Sequence, residues 1–182
     1  MQIIRFILIF LCIFFVTNPS YSAIKGGVGY SIPIDYSHLN AVELAEKADF
    51  YYNNVIVQKS SEVDVNVTTA LNLYTMLANR CPENIQYPVR LGILYDMIGK
   101  DRYAKGAFYR AIGINKNNPE PYFYLGEFFF QRQIYRRALK MYLEAYNKGF
   151  RNDIRTLNRL NQLYLMFGDR ETAEKYAVSA DK

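Results

Sequence analysis

The sequence predicts an all-α chain made of repeated helical hairpins, on three observations. Ala70, Ala104, Ala138 and Ala173 follow one another at intervals of 34, 34 and 35 residues. Tyr74, Phe108, Tyr142 and Ala177 keep phase with them four positions later. Thirteen positions before the last three alanines stand Leu91, Leu125 and Leu160, each followed by Gly92, Gly126 or Asn161, and nine before them stand Tyr95, Phe129 and Tyr164. A unit of this length is one helix–turn–helix, and it buries its apolar faces only by stacking on the next unit.

The clearest unit runs from Asn118 to Gly149. Tyr122, Leu125 and Phe129 recur at helical spacing in its first half, and Ala138, Tyr142 and Ala145 in its second. Gly126 lies inside the first pattern, where glycine costs about 1 kcal/mol against alanine. A helix accepts that where another helix comes close, with axes roughly 8–10 Å apart. The equivalent positions Leu91, Gly92, Tyr95, Ala104, Phe108 and Ala111, and later Leu160, Tyr164 and Ala173, are therefore assigned to packing between helices.

Before the repeats, residues 1–22 read as a secretory signal. Arg5 supplies the positive start, Phe6–Val16 are 11 unbroken apolar residues, and Ser20 and Ser22 offer the small residues for cleavage before Ala23. The apolar run is shorter than the ~20 residues of a membrane span, so cleaved export is the expectation and an uncleaved anchor the alternative. Residues 23–39 hold three glycines and a proline and read as an extended arm or linker, with the only histidine, His38, as a surface residue.

The repeat region is placed at 40–182. Asn40 and Glu43 form a capping pair for the first helix, whose apolar face runs Ala41, Leu44, Ala45, Ala48, Tyr52. The segment 53–64 interrupts that pattern, so residues 40–86 form a distorted first unit. Three fuller units follow at about 87–118, 119–153 and 154–182. Gly99 and Gly168 mark left-handed helix ends; Asn118 caps a helix ahead of Pro119; Gly106 and Gly113 weaken the helix Asp101–Ile114; and the last helix runs from Asp169 towards Lys182.

The pattern resembles the tetratricopeptide repeat (TPR) family, although the chain has no tryptophan and replaces the last glycine by Asn161 and the last aromatic by Ala177. The resemblance implies a short right-handed α-solenoid of about three to four hairpins whose first helices line a concave groove. Groove positions carried over from it are Gln86, Val89, Ile93, Asp96 and Met97, then Glu120, Phe123, Glu127, Phe130 and Gln131, then Arg155, Asn158, Gln162, Leu165 and Met166. For Phe123 and Phe130, internal packing against a neighbouring unit stands as an equal alternative to partner contact.

With 182 residues, 51% of them hydrophobic, the chain suffices for one domain or a short solenoid. Its net charge of +5 is too modest to argue for nucleic acid. Basic residues from Arg132 to Arg159 form either an ordinary solvated face or a contact with anionic membrane. Only Cys12 and Cys81 are present, which excludes a disulfide framework and a zinc quartet. No nucleophile–base pair, phosphate loop or metal-ligand spacing occurs, so neither an enzyme nor a cofactor is expected. The expected function is an exported adaptor that holds a protein or peptide partner in its groove, in envelope assembly or secretion. The alternatives are a self-assembling structural module and a peripheral membrane protein.

Overall fold

The computed structural model describes residues 34–58 and 65–177, and among these it contains eight α-helices, one 3-10 turn and no strand. The helices are α1 (Ala41–Gln58), α2 (Val65–Arg80), α3 (Gln86–Met97), α4 (Asp101–Ile114), α5 (Glu120–Gln131), α6 (Tyr135–Lys148), α7 (Ile154–Met166) and α8 (Arg170–Lys175), with the 3-10 turn at Phe150–Asn152. The expected export signal and most of the expected arm lie outside the described residues. The rest forms an α-solenoid: α1 pairs with α2, α3 with α4, α5 with α6 and α7 with α8, each pair packs on the next, and α3 also touches α5.

Short polar side chains start α1, α5, α7 and α8 by accepting from N–H groups that have no partner within the helix. Asn40 Oδ1 accepts from Val42 N and Glu43 N at 2.9 and 3.0 Å, while Glu43 Oε2 accepts from Asn40 N at 2.9 Å. Asn118 Oδ1 accepts from Glu120 N at 2.9 Å, Asp153 Oδ1 from Thr156 N at 2.9 Å, and Asp169 Oδ1 from Thr172 N at 3.0 Å. Before α1, a turn carries Tyr36 and Leu39 onto the first core. Arg80, at the end of α2, holds that turn by donating to Ser37 O at 2.8 Å and to Leu39 O.

One turn geometry joins the helices within the last three hairpins. Gly99 (φ 68°), Gln133 (φ 60°) and Gly168 (φ 81°) are left-handed, and the N–H of the residue after each donates to Tyr95 O, Phe129 O and Tyr164 O respectively. Two of these are the expected glycines; Gln133 does the same work with a side chain. The bond from the following residue back across the helix end closes a Schellman-type cap.

Buried side chains follow the repeat. Ala104, Phe108, Ala111, Leu125, Phe129, Ala138, Tyr142, Ala145, Leu160 and Ala173 are all buried, as is Leu91, whereas Tyr95 and Tyr164 are half-buried. Burial of a large apolar side chain stabilises by roughly 1.5–3 kcal/mol, so the first three hairpins depend on the rings at their seams, Tyr74, Phe108 and Tyr142. The two glycines answer to those rings, not to a facing alanine. A Cβ on Gly126 would lie 2.6 Å from Tyr142 Cε1, and one on Gly92 would collide with the Phe108 ring. In the last hairpin the ring is replaced by Ala177, and Asn161 uses the space to donate from Nδ2 to Ala173 O at 2.8 Å.

Two expectations need correction. The interruption expected at 53–64 begins later, because α1 continues to Gln58 with Val55 fully buried beneath Leu44, Ala48 and Tyr52 on the same face. At the other end, α8 stops at Lys175 and Tyr176 turns off to stack on Tyr164, centroids 5.6 Å apart. Residues 178–182 lie outside the described part.

Candidate functional site

First helices line a cleft of about 560 Å³ that crosses four hairpins. Ile56 of α1, Ile93 and Met97 of α3 and Phe108 of α4 make one end apolar. Asn158, Gln162 and Arg155 of α7 make the other end rich in hydrogen-bond donors. Between them lies α5, contributing Phe123, Tyr124, Glu127 and Gln131.

The change of character along the cleft follows from one repeat position. Ile93, Glu127 and Gln162 are spaced by 34 and 35 residues, like the seam positions Phe108, Tyr142 and Ala177. Phe108 has no hydroxyl, and Ile93 packs on the core cluster that contains it. Tyr142 has one and donates it to Glu127 Oε1 at 2.7 Å. Burial first, and then this bond to a carboxylate, push the Tyr142 phenol far above its ordinary value. Arg159 grips the same carboxylate through Nε at 2.7 Å and Nη2 at 2.8 Å, and passes a third bond from Nη1 to Gln162 at 3.1 Å. Its guanidinium also lies 4.3 Å from the centre of the Phe130 ring. The hydrogen bonds it donates to Glu127, the largest influence, raise the Arg159 pKa further. The cleft centre is thus a preformed ion pair shared by α5, α6 and α7.

A second carboxylate, Asp96, sits less comfortably. Arg132 Nη1 lies 2.8 Å from its Oδ1, but out of line for a hydrogen bond, and that oxygen has no other partner. Arg132 directs its better bonds at Asp101, where Nε donates to Oδ2 at 2.8 Å. Burial therefore outweighs the attraction of Arg132 and holds the Asp96 carboxyl above the usual range, while the hydrogen bond from Arg132 holds Asp101 below it. Arg155 lies 4.6 Å from the Phe123 ring centre and 3.1 Å from Asp153 Oδ2.

Of the residues expected in the groove, Ile93, Asp96, Met97, Glu127, Gln131, Arg155, Asn158 and Gln162 line the cleft. Phe123 reaches it too, but is buried against Tyr142 and Phe150 and serves mainly as packing. Others fall elsewhere. Val89 is fully buried. Phe130 packs on Tyr135 and under Arg159. Glu120 accepts from Gln86 Nε2 at 2.8 Å, outside the cleft lining. Leu165 is half-exposed and, like Met166, does not reach the cleft.

Ile56, Phe108, Tyr124 and Arg159 line the cleft without having been expected there. Arg90, Tyr124 and Arg159 share one repeat position, immediately before Leu91, Leu125 and Leu160. Long polar or aromatic side chains in phase at that position were the available signal. Ile56 carries none, since it follows the point where the sequence pattern breaks. Among the described residues, no group of His, Cys, Asp or Glu is placed to hold a metal ion, and no helix is long and apolar enough to cross a membrane. Cys81 is a free, half-buried thiol.

No protein-family profile matches the sequence, and no curated protein matches it. Solved structures do. MamA superposes with a TM-score of 0.61 at 20% identity over 75% of this chain and 74% of its own. The first TPR of Spaghetti (RPAP3), bound to the HSP90 peptide SRMEEVD, gives 0.59 at 20% identity over 70% of this chain and 93% of its own. The Yersinia enterocolitica type III secretion chaperone SycD, in complex with a peptide of the translocator YopD, gives 0.57 at 14% identity over 71% and 98%. Repeat geometry and these neighbours together define a TPR-like α-solenoid.

Proposed function

We propose that the protein is a non-enzymatic adaptor that holds a peptide segment of a partner protein in the cleft between its first helices. The observation that carries this reading is the cleft itself. It spans four hairpins and offers apolar side chains at one end and the Asn158 and Gln162 amide groups at the other, with the Glu127–Arg159 ion pair already formed at its centre. A bound segment can fill the apolar end and hydrogen-bond its backbone to Asn158 and Gln162 without unpairing a buried ion pair. Two of the structural neighbours hold peptides, which supports the same use of the fold.

The test is a crosslinking pulldown with Met97→Glu, which puts a charge at the half-buried apolar end. The expected result is loss of the partner captured by the unaltered chain; an unchanged set of partners would contradict the reading. The apolar run Phe6–Val16 and the small residues Ser20 and Ser22 support export, and with it a role in envelope assembly or secretion. Cleavage predicts Ala23 as the first residue of the protein recovered outside the inner membrane; recovery with the apolar run still attached favours the anchored form.

A second reading, end-to-end self-association, draws on Leu165, Met166 and Phe167, consecutive and each about half-exposed at the last hairpin. Sedimentation at increasing concentration decides it, since a strict monomer disposes of the idea.

A further inference from the structure

The charge of the chain is concentrated on two helices. Together α4 and α6 carry seven of the 22 Lys and Arg residues and two of the 17 Asp and Glu residues, an excess equal to the whole net charge of +5. Elsewhere the chain is balanced. Both acids on these helices are engaged, Asp101 by Arg132 and Glu144 by Lys148 at 3.6 Å. Arg102, Arg136 and Lys140 are exposed and form no ion pair among the described residues.

These cations share one outward direction. Ala104, Phe108 and Ala111 define the buried side of α4, and Ala138, Tyr142 and Ala145 that of α6. At 100° per residue, Arg102 and Tyr109 project opposite the first set, and Arg136 and Lys140 opposite the second. Arg102 and Arg136 occupy the same repeat position, one hairpin apart. Exposed rings accompany them: Tyr103 is 62% and Tyr109 53% accessible. Gly106 and Gly113 also fall on the outward side of α4, with nothing within 4 Å of the place a Cβ would occupy. No packing requires them, and they leave that face low on either side of Tyr109.

We infer that this second-helix face of α4 and α6 binds the surface of an anionic phospholipid bilayer. Unpaired arginine and lysine side chains meet the headgroup phosphates, with tyrosine rings at the level where one end is apolar and the other wet. The cleft lies among the first helices, on the other side of each hairpin, and stays open to a peptide while this face is occupied. The face stands on the charge distribution alone and does not depend on the cleft holding a peptide.

The test is co-sedimentation of the full chain with phosphatidylcholine vesicles that contain or lack phosphatidylglycerol, at low and high salt. Neutral vesicles read any contribution of the apolar run Phe6–Val16, so the quantity of interest is the excess on anionic vesicles. That excess should fall steeply with salt. Replacing Arg102, Arg136 and Lys140 together by Gln should lower it about 100-fold, each cation contributing roughly fivefold at such a surface. All three are exposed, and circular dichroism verifies that the helices persist. An equal affinity for both vesicle types, a salt-independent excess, or an unchanged triple variant overturns the inference. So does a short DNA duplex that displaces the chain from anionic vesicles through the same three residues, since that assigns the face to nucleic acid.

Discussion

The ring of Tyr142 occupies the space that a side chain at Gly126 would need, with Cε1 only 2.6 Å from the position of a Cβ. Phe108 and Gly92 repeat the relationship one hairpin earlier. Each glycine is the floor of a ring-binding notch, and the ring in turn orders the cleft above it: Tyr142 reaches Glu127, while Phe108 lines the apolar end directly.

Gly126→Ala should therefore destabilise the protein even though alanine is the better helix former. Overpacking costs about 1–3 kcal/mol, more than the ~1 kcal/mol that alanine gains in propensity. Urea unfolding is expected to show a lower midpoint for Gly126→Ala and for Gly92→Ala, and the combination with Tyr142→Phe should not restore the first, because the ring itself and not its hydroxyl fills the space.

The glycines of α4 predict the opposite sign. Gly106 and Gly113 are exposed and meet nothing, so Gly106→Ala and Gly113→Ala should each stabilise by about 0.5–1 kcal/mol, read from the same unfolding curves. The four glycines within these helices thus divide into two that must stay and two that alanine fills without strain.

Gln133 holds the left-handed turn that Gly99 and Gly168 hold in the neighbouring hairpins. A side chain there costs roughly 1–2 kcal/mol in backbone strain, partly offset by the extra freedom glycine has in the unfolded chain. Gln133→Gly should raise stability by about 0.5–1 kcal/mol, whereas Gly99→Gln should lower it by a similar amount.

Much of this was legible in the sequence, and the residues that were not share a cause. A fixed period marks a position as recurrent, and burial makes its residue type uniform, so the all-helical fold and the alanine–ring seam stand out. Groove positions have no such uniformity. Ile93, Glu127 and Gln162 are chemically unrelated although they occupy one site in the repeat, and carrying over their neighbours placed Val89 and Leu165 beside them when one is fully buried and the other turned away. Tyr124 and Arg159 escaped for the same reason. The extension of α1 to Gln58 was hidden by two consecutive asparagines, which lower helix propensity only slightly against the burial of Val55.

Asp96 gives the protein an identifiable pH dependence. Its folded carboxyl lies above the ordinary range because burial opposes ionisation more than Arg132 favours it, with Asp101 and Glu127 adding repulsion. The folded state therefore takes up a proton more readily than the unfolded one. The contribution is most favourable below the unfolded pKa of about 4 and is lost as pH rises through the raised folded value. Asp96→Asn is neutral throughout, so its melting temperature should exceed that of the unaltered protein at neutral pH, with the gap closing in acid. A gap that widens in acid would mean that Arg132 outweighs burial.

The central claim is that the cleft between the first helices, and not the outer face, receives the partner peptide. Site-specific photocrosslinking in cells tests it most directly, with the crosslinker placed in turn at Asn158 and Gln162 in the cleft and at Asn147 on the exposed side of α6. The expected result is one protein adduct formed from both cleft positions, absent from Asn147 and lost when Met97→Glu is added. The same adduct formed at Asn147 and missing from the cleft would contradict it.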